Sequence, residues 1–549
     1  MPAGGTVNLA SYLKFLVGQL LELEVQQPIL PTLYESSWMV RLTDSGGETL
    51  YPGILEELAA SQHPDGSWGS KTPYYHDRIL STLAMVLILA RFGHRSGDHD
   101  RRRTGERYLW QNVPRLRRDP HRTVGFELIL PTLLAEGERL GLNLPYTLLS
   151  AYSVERKKKL ALLPDDAPFG AQSSALFSLE AFPRRVEQVE PERIKPLLLE
   201  DGSVATSPSA TAFMLAAGPG QTDDFPESRA YLHTLLESHD GRLPTVAPCD
   251  IFTRAWMLNY LYHGGQLESL QENAARALTS VHHYLLASWR SHGVGWASNG
   301  PVESDDTAMV LLALHRAGYE VDGSCLLAYE RAEHFAVLEY ERDPSVSVNL
   351  HILEALQTLP LSDRERACQK ILSFLLKNRR AGSYWRDKWH ASAYYPTSRA
   401  LLTLSSHLQR EQLEPTVRWM LATQNGDGSW GEYGPTAEET ALVLLSLLHY
   451  HRQVHALPKA PLRLAASYLM SVERPFVYDY RELWISKTLY APAVVIKSAV
   501  AAALGLYQDT FEEGAEALSG TLRLPAGRDG RDGDDPYEDA PYEDAPGRR

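Results

Sequence analysis

Residues Glu303-Ser304-Asp305-Asp306-Thr307 set three carboxylates directly ahead of the apolar run AMVLLAL. Taken alone, such a segment is an ordinary helix start, with a capping residue and acids at the positive end of the helix. In an apolar cavity the same crowding gains a chemical use. Desolvation and like-charge repulsion raise at least one pKa, so a proton is retained near neutral pH. A carboxyl oriented by a neighbour then becomes a strong donor aimed into the cavity. The acceptor that requires such a donor is an alkene. Its protonation leaves a carbocation that must be shielded from water and that aromatic faces stabilise.

The elements that must position these groups are helices. Apolar residues recur at three and four in RILSTLAMVLILARF, ALTSVHHYLLASW, TAMVLLALHRAGY and TALVLLSLLHYHRQ. Gly and Pro clusters punctuate them at helical-hairpin intervals. An all-α protein built from helix pairs follows. A repeat runs through it: QHPDGSWGS from Gln62, EDGSVATSPSATAFMLAA from Glu200, GVGWASNGPVESDDTAMVLLAL from Gly293 and QNGDGSWGE from Gln424. Each reads as a glycine turn, an apolar plug and a polar helix start. The Gln side chain is suited to an exposed helix end and the Trp ring to packing between helices. These copies predict two related α-helical barrels with the chemistry in the cleft between them. They fit a non-catalytic helical scaffold equally well.

Composition narrows the classes. The chain has 549 residues, 44% hydrophobic and 22% charged, with a formal charge of -14. That is globular and argues against a nucleic-acid binder with a basic surface. Cys249, Cys325 and Cys368 are far apart, which argues against a disulfide framework or a Cys-rich zinc site and fits a reducing cytoplasm. The most apolar stretch, 489–507, contains Lys497 and is expected to be a buried helix rather than a membrane span. Residues 523–549 are expected to form a disordered acidic tail.

With the QxxDGSWG repeats and the ESDDTA segment in hand, the chain resembles class II terpene cyclases of the bacterial two-domain type. VGFELILPTLLAEGERLGL, GRLPTVAPCDIF, DKWHASAYYPTSRAL and LWISKTLYAP carry the resemblance from Gln62 to Tyr490. It implies Asp305 as general acid, with Asp306 and Glu303 as supporting carboxylates. It implies Glu127 as a magnesium ligand, and Lys159, Lys388 and Lys487 as groups for a substrate diphosphate. Trp256, Trp296, Trp385, Trp389, Tyr394 and Tyr395 lie near the motifs. Of these, Trp296, Trp389 and Tyr394 are expected to face the substrate. The implied domains are an N-terminal segment 1–45 completing the second barrel, an inserted barrel 46–270, the barrel 271–522 carrying the acids, and the tail.

The substrate implied is a linear prenyl diphosphate, with Mg2+ as cofactor, no nucleic-acid partner and no stable membrane insertion. Among bacterial members the chain is most similar to drimenyl diphosphate synthases, which act on farnesyl diphosphate. The alternative is geranylgeranyl diphosphate, giving a copalyl-, halimadienyl- or clerodienyl-type product. A protein prenyltransferase-like barrel is the less favoured enzyme class, because its Asp-Cys-His zinc set is not evident. Phe177 and Thr245 align with the His and Asn that hold a deprotonating water in plant ent-copalyl synthases, so that pair is missing and the terminating base is unassigned. Asp534-Asp535-Pro536-Tyr537-Glu538 spells DDxxE within the expected tail and is not expected to ionise a diphosphate. Glu303 stands where the family pattern has Asp. The extra methylene is expected to displace a partner of Asp305, so Glu303→Asp should raise turnover, and an unchanged rate would refute this.

Overall fold

The computed structural model describes residues 17–18, 20, 29–163, 174–183, 190–217, 224–267, 274–338, 341, 343–359, 363–472 and 480–511. Two hydrophobic cores organise them. The helices Asp250–His263, Ser304–Arg316, Val346–Thr358, Tyr394–Leu404, Ala437–Gln453 and Ala493–Thr510 each pack on the next, and the last packs back on the first. This closed inner ring is buried almost all round, which is why its helices read as continuous apolar runs. Outside it lie Ala275–Ser288, Arg364–Lys377, Arg410–Ala422 and Lys459–Val472, each packed on one or two inner helices. The outer helices bury one stripe only, for example Leu462, Ala465, Ala466 and Leu469.

The first core is a smaller ring. Helix Tyr75–Phe92 packs on Phe126–Arg139 and on Leu33–Met39; Pro208–Ala217 and the 3-10 segment Ser174–Ala181 close the circuit. The two cores part between Leu243 and Val246. This differs from the expected boundaries at 45 and 270. Residues 34–42 pack into the first core, and Asp250–His263 packs against Ser304–Arg316 and Ala493–Thr510 in the second. The apolar periodicity that marks these helices as buried does not say which ring they join.

The repeat has one hydrogen-bonding grammar. The Trp68 and Trp430 indoles donate to Leu58 O (2.9 Å) and Met420 O (2.7 Å), and their backbone N–H groups donate to Thr82 and Thr440 Oγ1. Gln62 and Gln424 donate both to their own turn and to Arg101 O and Pro461 O, carbonyls in the first turn of a neighbouring helix. A further copy, at Trp385, repeats the pattern with Leu375 O and Thr397 Oγ1. It is disguised in sequence because no DGSWG precedes it. At the acidic helix, Thr307 Oγ1 takes the same place, meeting Val294 N at 3.0 Å and donating to Glu303 O at 2.6 Å. The repeat thus fixes where the Ser304–Arg316 helix begins.

The rings are joined by a short hairpin in which Trp484–Ile485 pairs antiparallel with Leu489–Tyr490. Val124 N donates to Ser486 O (2.8 Å), Leu489 N to Asp77 Oδ2 (2.7 Å) and Thr72 Oγ1 to Glu482 O (2.7 Å). The stretch 489–507 becomes the end of this hairpin and a buried helix, and no described helix is long and apolar enough to cross a membrane. The expected tail and residues 1–16 lie outside the described residues. Trp430 is fully buried and anchors its turn through the indole N–H, so Trp430→Ala should cost about 3–5 kcal/mol in a denaturant-unfolding measurement; a loss below about 1 kcal/mol would contradict this reading of the repeat.

Candidate active site

A cavity of about 360 Å³ opens between the two rings. Glu127, Lys159 and Phe177 from the first ring line it together with Trp296, Glu303, Asp305, Asp306, Lys388 and Trp389 from the second. The acids sit at the first turn of the Ser304–Arg316 helix. Glu303 is the N-cap: its carboxylate accepts from Asp305 N at 2.7 Å and from Asp306 N at 2.5 Å. The cap satisfies two otherwise orphaned amides and fixes the direction of both aspartates. An acid at this position therefore works through the backbone of its neighbours. The copy at Thr436 makes the same cap with a hydroxyl, accepting from Glu439 N.

Burial, followed by repulsion from Asp306 and Asp305, pushes the Glu303 carboxyl well above the usual carboxylate range. Burial likewise pushes Asp306 up to about 7 against a hydrogen bond from Glu303. Crowded acids titrate as a group, so the cluster keeps a proton near neutral pH. Asp305 is the member aimed into the cavity. Its Oδ1 lies 2.6 Å from Nδ1 of His351, and its other carboxyl oxygen has no protein partner among the described residues. His351 is fully buried, with Nε2 3.5 Å from the Tyr395 hydroxyl, which accepts from the Trp256 indole at 3.3 Å. This chain holds one carboxyl oxygen of Asp305 through His351.

Sequence reasoning missed His351. The available signal was a lone histidine inside the apolar helix VSVNLHILEALQT, one repeat on from the acids. It also missed Phe252, Trp484 and Tyr490, which line the cavity with Phe177, Trp296 and Trp389. Trp484 meets Phe252 edge-on at 5.4 Å and Tyr395 at 4.9 Å, and its indole donates to Glu438 at 2.6 Å. Trp296 donates to Thr206 Oγ1 at 2.8 Å. These two indoles line the cavity with their N–H groups anchored, which leaves little freedom to rotate.

Two expected substrate contacts are corrected. Tyr394 does not line the cavity; its ring packs on Trp419 at 5.0 Å. Lys487 is fully buried, paired with Glu180 at 2.8 Å and bonded to Ser207 and Ser209. It sits at the turn of the joining hairpin and serves the domain junction. Trp256 and Trp385 are core residues.

Of the remaining cations, Lys159 is half-buried at the cavity wall with no ion pair among the described residues. Lys388 contacts the Glu341 carboxylate and donates to Asp343 O at 2.6 Å. Burial and Lys159 press its ammonium down to about 7. Asp305 opposes that shift. Among the described residues no cluster of three or more His, Cys, Asp or Glu side chains could hold a metal. Glu127 lines the cavity as one half-buried carboxylate. Magnesium commonly takes one or two protein carboxylates and completes its shell with phosphate and water, so Glu127 suits an ion that arrives with a diphosphate.

The comparisons accord with this geometry. Residues 330–446 match the model of the squalene-hopene cyclase C-terminal domain. A type B diterpene cyclase of Mycobacterium tuberculosis is 33% identical over 503 residues, covering 88% of this chain and 96% of that protein. The chain belongs to the class II terpene cyclases. An ent-copalyl diphosphate synthase of a Streptomyces species is 30% identical over 514 residues, covering 89% and 94%. The structure of ent-copalyl diphosphate synthase from Streptomyces platensis superposes with a TM-score of 0.69 at 27% identity, covering 91% of this chain and 99% of that one. In this class II cyclase, Asp305→Asn should abolish cyclisation while thermal unfolding stays that of a folded protein. The wild-type rate should fall on the alkaline side as the cluster, whose Asp306 titrates near 7, loses its proton. A rate that keeps rising through that range would contradict the shared-proton account.

Proposed function

We propose that the enzyme cyclises a linear prenyl diphosphate by protonating its distal alkene, and that the product keeps its diphosphate. The observation that carries this reading is Asp305, held by His351 on one oxygen and facing an aromatic cavity with the other. Asp305 gives its proton to the CH carbon of the distal alkene, leaving the dimethyl-bearing carbon positive. The carbon left positive is attacked by the next double bond, and the charge moves along the chain past the faces of Trp296, Trp389 and Trp484. Low water access protects the cation until a base removes a proton. Lys159 and Lys388 bind the diphosphate, Lys388 by exchanging Glu341 for a phosphate oxygen. Glu127 would hold Mg2+ against the diphosphate, and the ion would supply charge neutralisation and orientation.

Geranylgeranyl diphosphate, leading to a copalyl-, halimadienyl- or clerodienyl-type diphosphate, is the substrate supported by the relatives, which are a diterpene cyclase and copalyl diphosphate synthases. One observation favours a second reading, farnesyl diphosphate cyclised to drimenyl diphosphate. The cavity, at about 360 Å³, is at the small end of the roughly 300–1,000 Å³ usual for ligand sites, and the edge-to-face rings of Phe177 and Trp296 stand in its wall. Incubation with each diphosphate plus magnesium, then phosphatase treatment and mass spectrometry, separates the two. A bicyclic alcohol from the C20 substrate alone supports the first reading, and one from the C15 substrate alone supports the second. Hydrocarbon with released inorganic diphosphate would contradict both.

A further inference from the structure

The cyclisation proposed above needs a proton acceptor, and the acids around Asp305 already hold the proton that starts the reaction. A second buried polar cluster adjoins the cavity wall. Ser486, in the turn of the joining hairpin, lines the cavity. Its Oγ is 3.0 Å from Thr245 Oγ1, which in turn is 3.4 Å from Glu35 Oε1. Glu35 and Thr245 are fully buried. Thr245 is the donor toward both neighbours in the structure; with its one proton turned to Glu35, its lone pairs are free to accept from the Ser486 hydroxyl. Glu35 is fixed by Ser209 N at its other oxygen, 2.9 Å away.

The charge count around Glu35 is uneven. Among the described residues Lys487 is the cation acting on it, and Lys487 pairs with Glu180 at 2.8 Å. Glu180 also accepts from Tyr34 at 3.1 Å and Ser209 at 3.3 Å. Two carboxylates and one ammonium, all out of water, carry a net charge of minus one when both acids are ionised. Uptake of one proton makes the cluster neutral, which burial favours. Burial and Glu180, working against Lys487, accordingly push Glu35 up to about 7. This is a carboxylate ready to take a proton, connected to the cavity by two hydroxyls and shielded from the cation itself.

We propose that Ser486, Thr245 and Glu35 are the exit path for the proton shed by the cyclised carbocation. The C–H bond beside the cationic carbon breaks and its electron pair becomes the new C=C bond. The proton goes to Ser486 Oγ, the serine's own hydroxyl proton goes to Thr245, and the threonine's goes to Glu35 Oε1. One proton enters the substrate at Asp305 and one leaves through Glu35, so a turnover consumes none. Ser486 is the catalytic residue here; Thr245 and Glu35 act through it.

This inference rests on the cyclase reading, and its test separates the two. Wild type, Ser486→Ala, Thr245→Val, Thr245→Ser and Glu35→Gln are given farnesyl and geranylgeranyl diphosphates with magnesium, and KM and the ratio of products are measured. Ser486→Ala, Thr245→Val and Glu35→Gln should still consume substrate with KM little changed. The share of the wild-type alkene should fall by about tenfold or more, replaced by water-captured alcohols or alkene isomers. Thr245→Ser, which restores the hydroxyl, should restore the wild-type ratio. If Glu35→Gln fails to fold, the hydroxyl variants carry the same test. An unchanged product ratio in Ser486→Ala and Thr245→Val overturns the relay and leaves the cyclase reading standing. A wild type that cyclises neither substrate overturns both.

Discussion

The structure depends on three carboxyls crowded at one helix start beside an apolar cavity, which together keep a proton near neutral pH. An isolated aspartate would give that proton to water, and a freely rotating one would not aim it. Both problems are met at one helix start. Glu303 caps the backbone of Asp305 and Asp306, and the resulting crowding makes full ionisation of the three acids unfavourable. His351 then selects which oxygen of Asp305 remains for the substrate. Capping, a device that elsewhere in the chain only starts helices, here also loads and aims an acid.

The helical repeat supplies the rigidity. Thr307 ties the acidic helix to the Val294 turn by the bond that Thr82, Thr397 and Thr440 make to their own tryptophan turns. The ring closes around the first turn of that helix, and the hairpin 484–490 draws the first, smaller ring against it. The cavity is consequently walled by residues from both rings, and its aromatic faces are held by indole hydrogen bonds to Thr206 and Glu438. A cation generated inside meets faces that do not need to reorganise.

Much of this was legible in the sequence, for identifiable reasons. Helices on an inner ring read as unbroken apolar runs, and QxxDGSWG turns recur because each must satisfy the same carbonyls. The acids at Glu303, Asp305 and Asp306, with Glu127, Lys159, Lys388, Trp296 and Trp389, do share one cavity. Lys487 and Tyr394 misled because a cation or ring beside a motif can face either way along a short turn or a helix. Lys487 turns inward to Glu180 and Tyr394 turns to Trp419. His351 and Trp484 reach Asp305 and the cavity only through ring closure, a long-range contact that no local spacing encodes. The domain boundaries were misplaced for the same reason.

The central claim, that a solvent-derived proton on Asp305 starts the ring closure and the diphosphate stays in place, is most directly tested by running the reaction in deuterium oxide. Mass spectrometry of the dephosphorylated product should find one deuteron on carbon, at the ring methylene derived from the CH carbon of the distal alkene, with no inorganic diphosphate released. A cyclised product without that deuteron, or one formed with loss of diphosphate, would contradict the account.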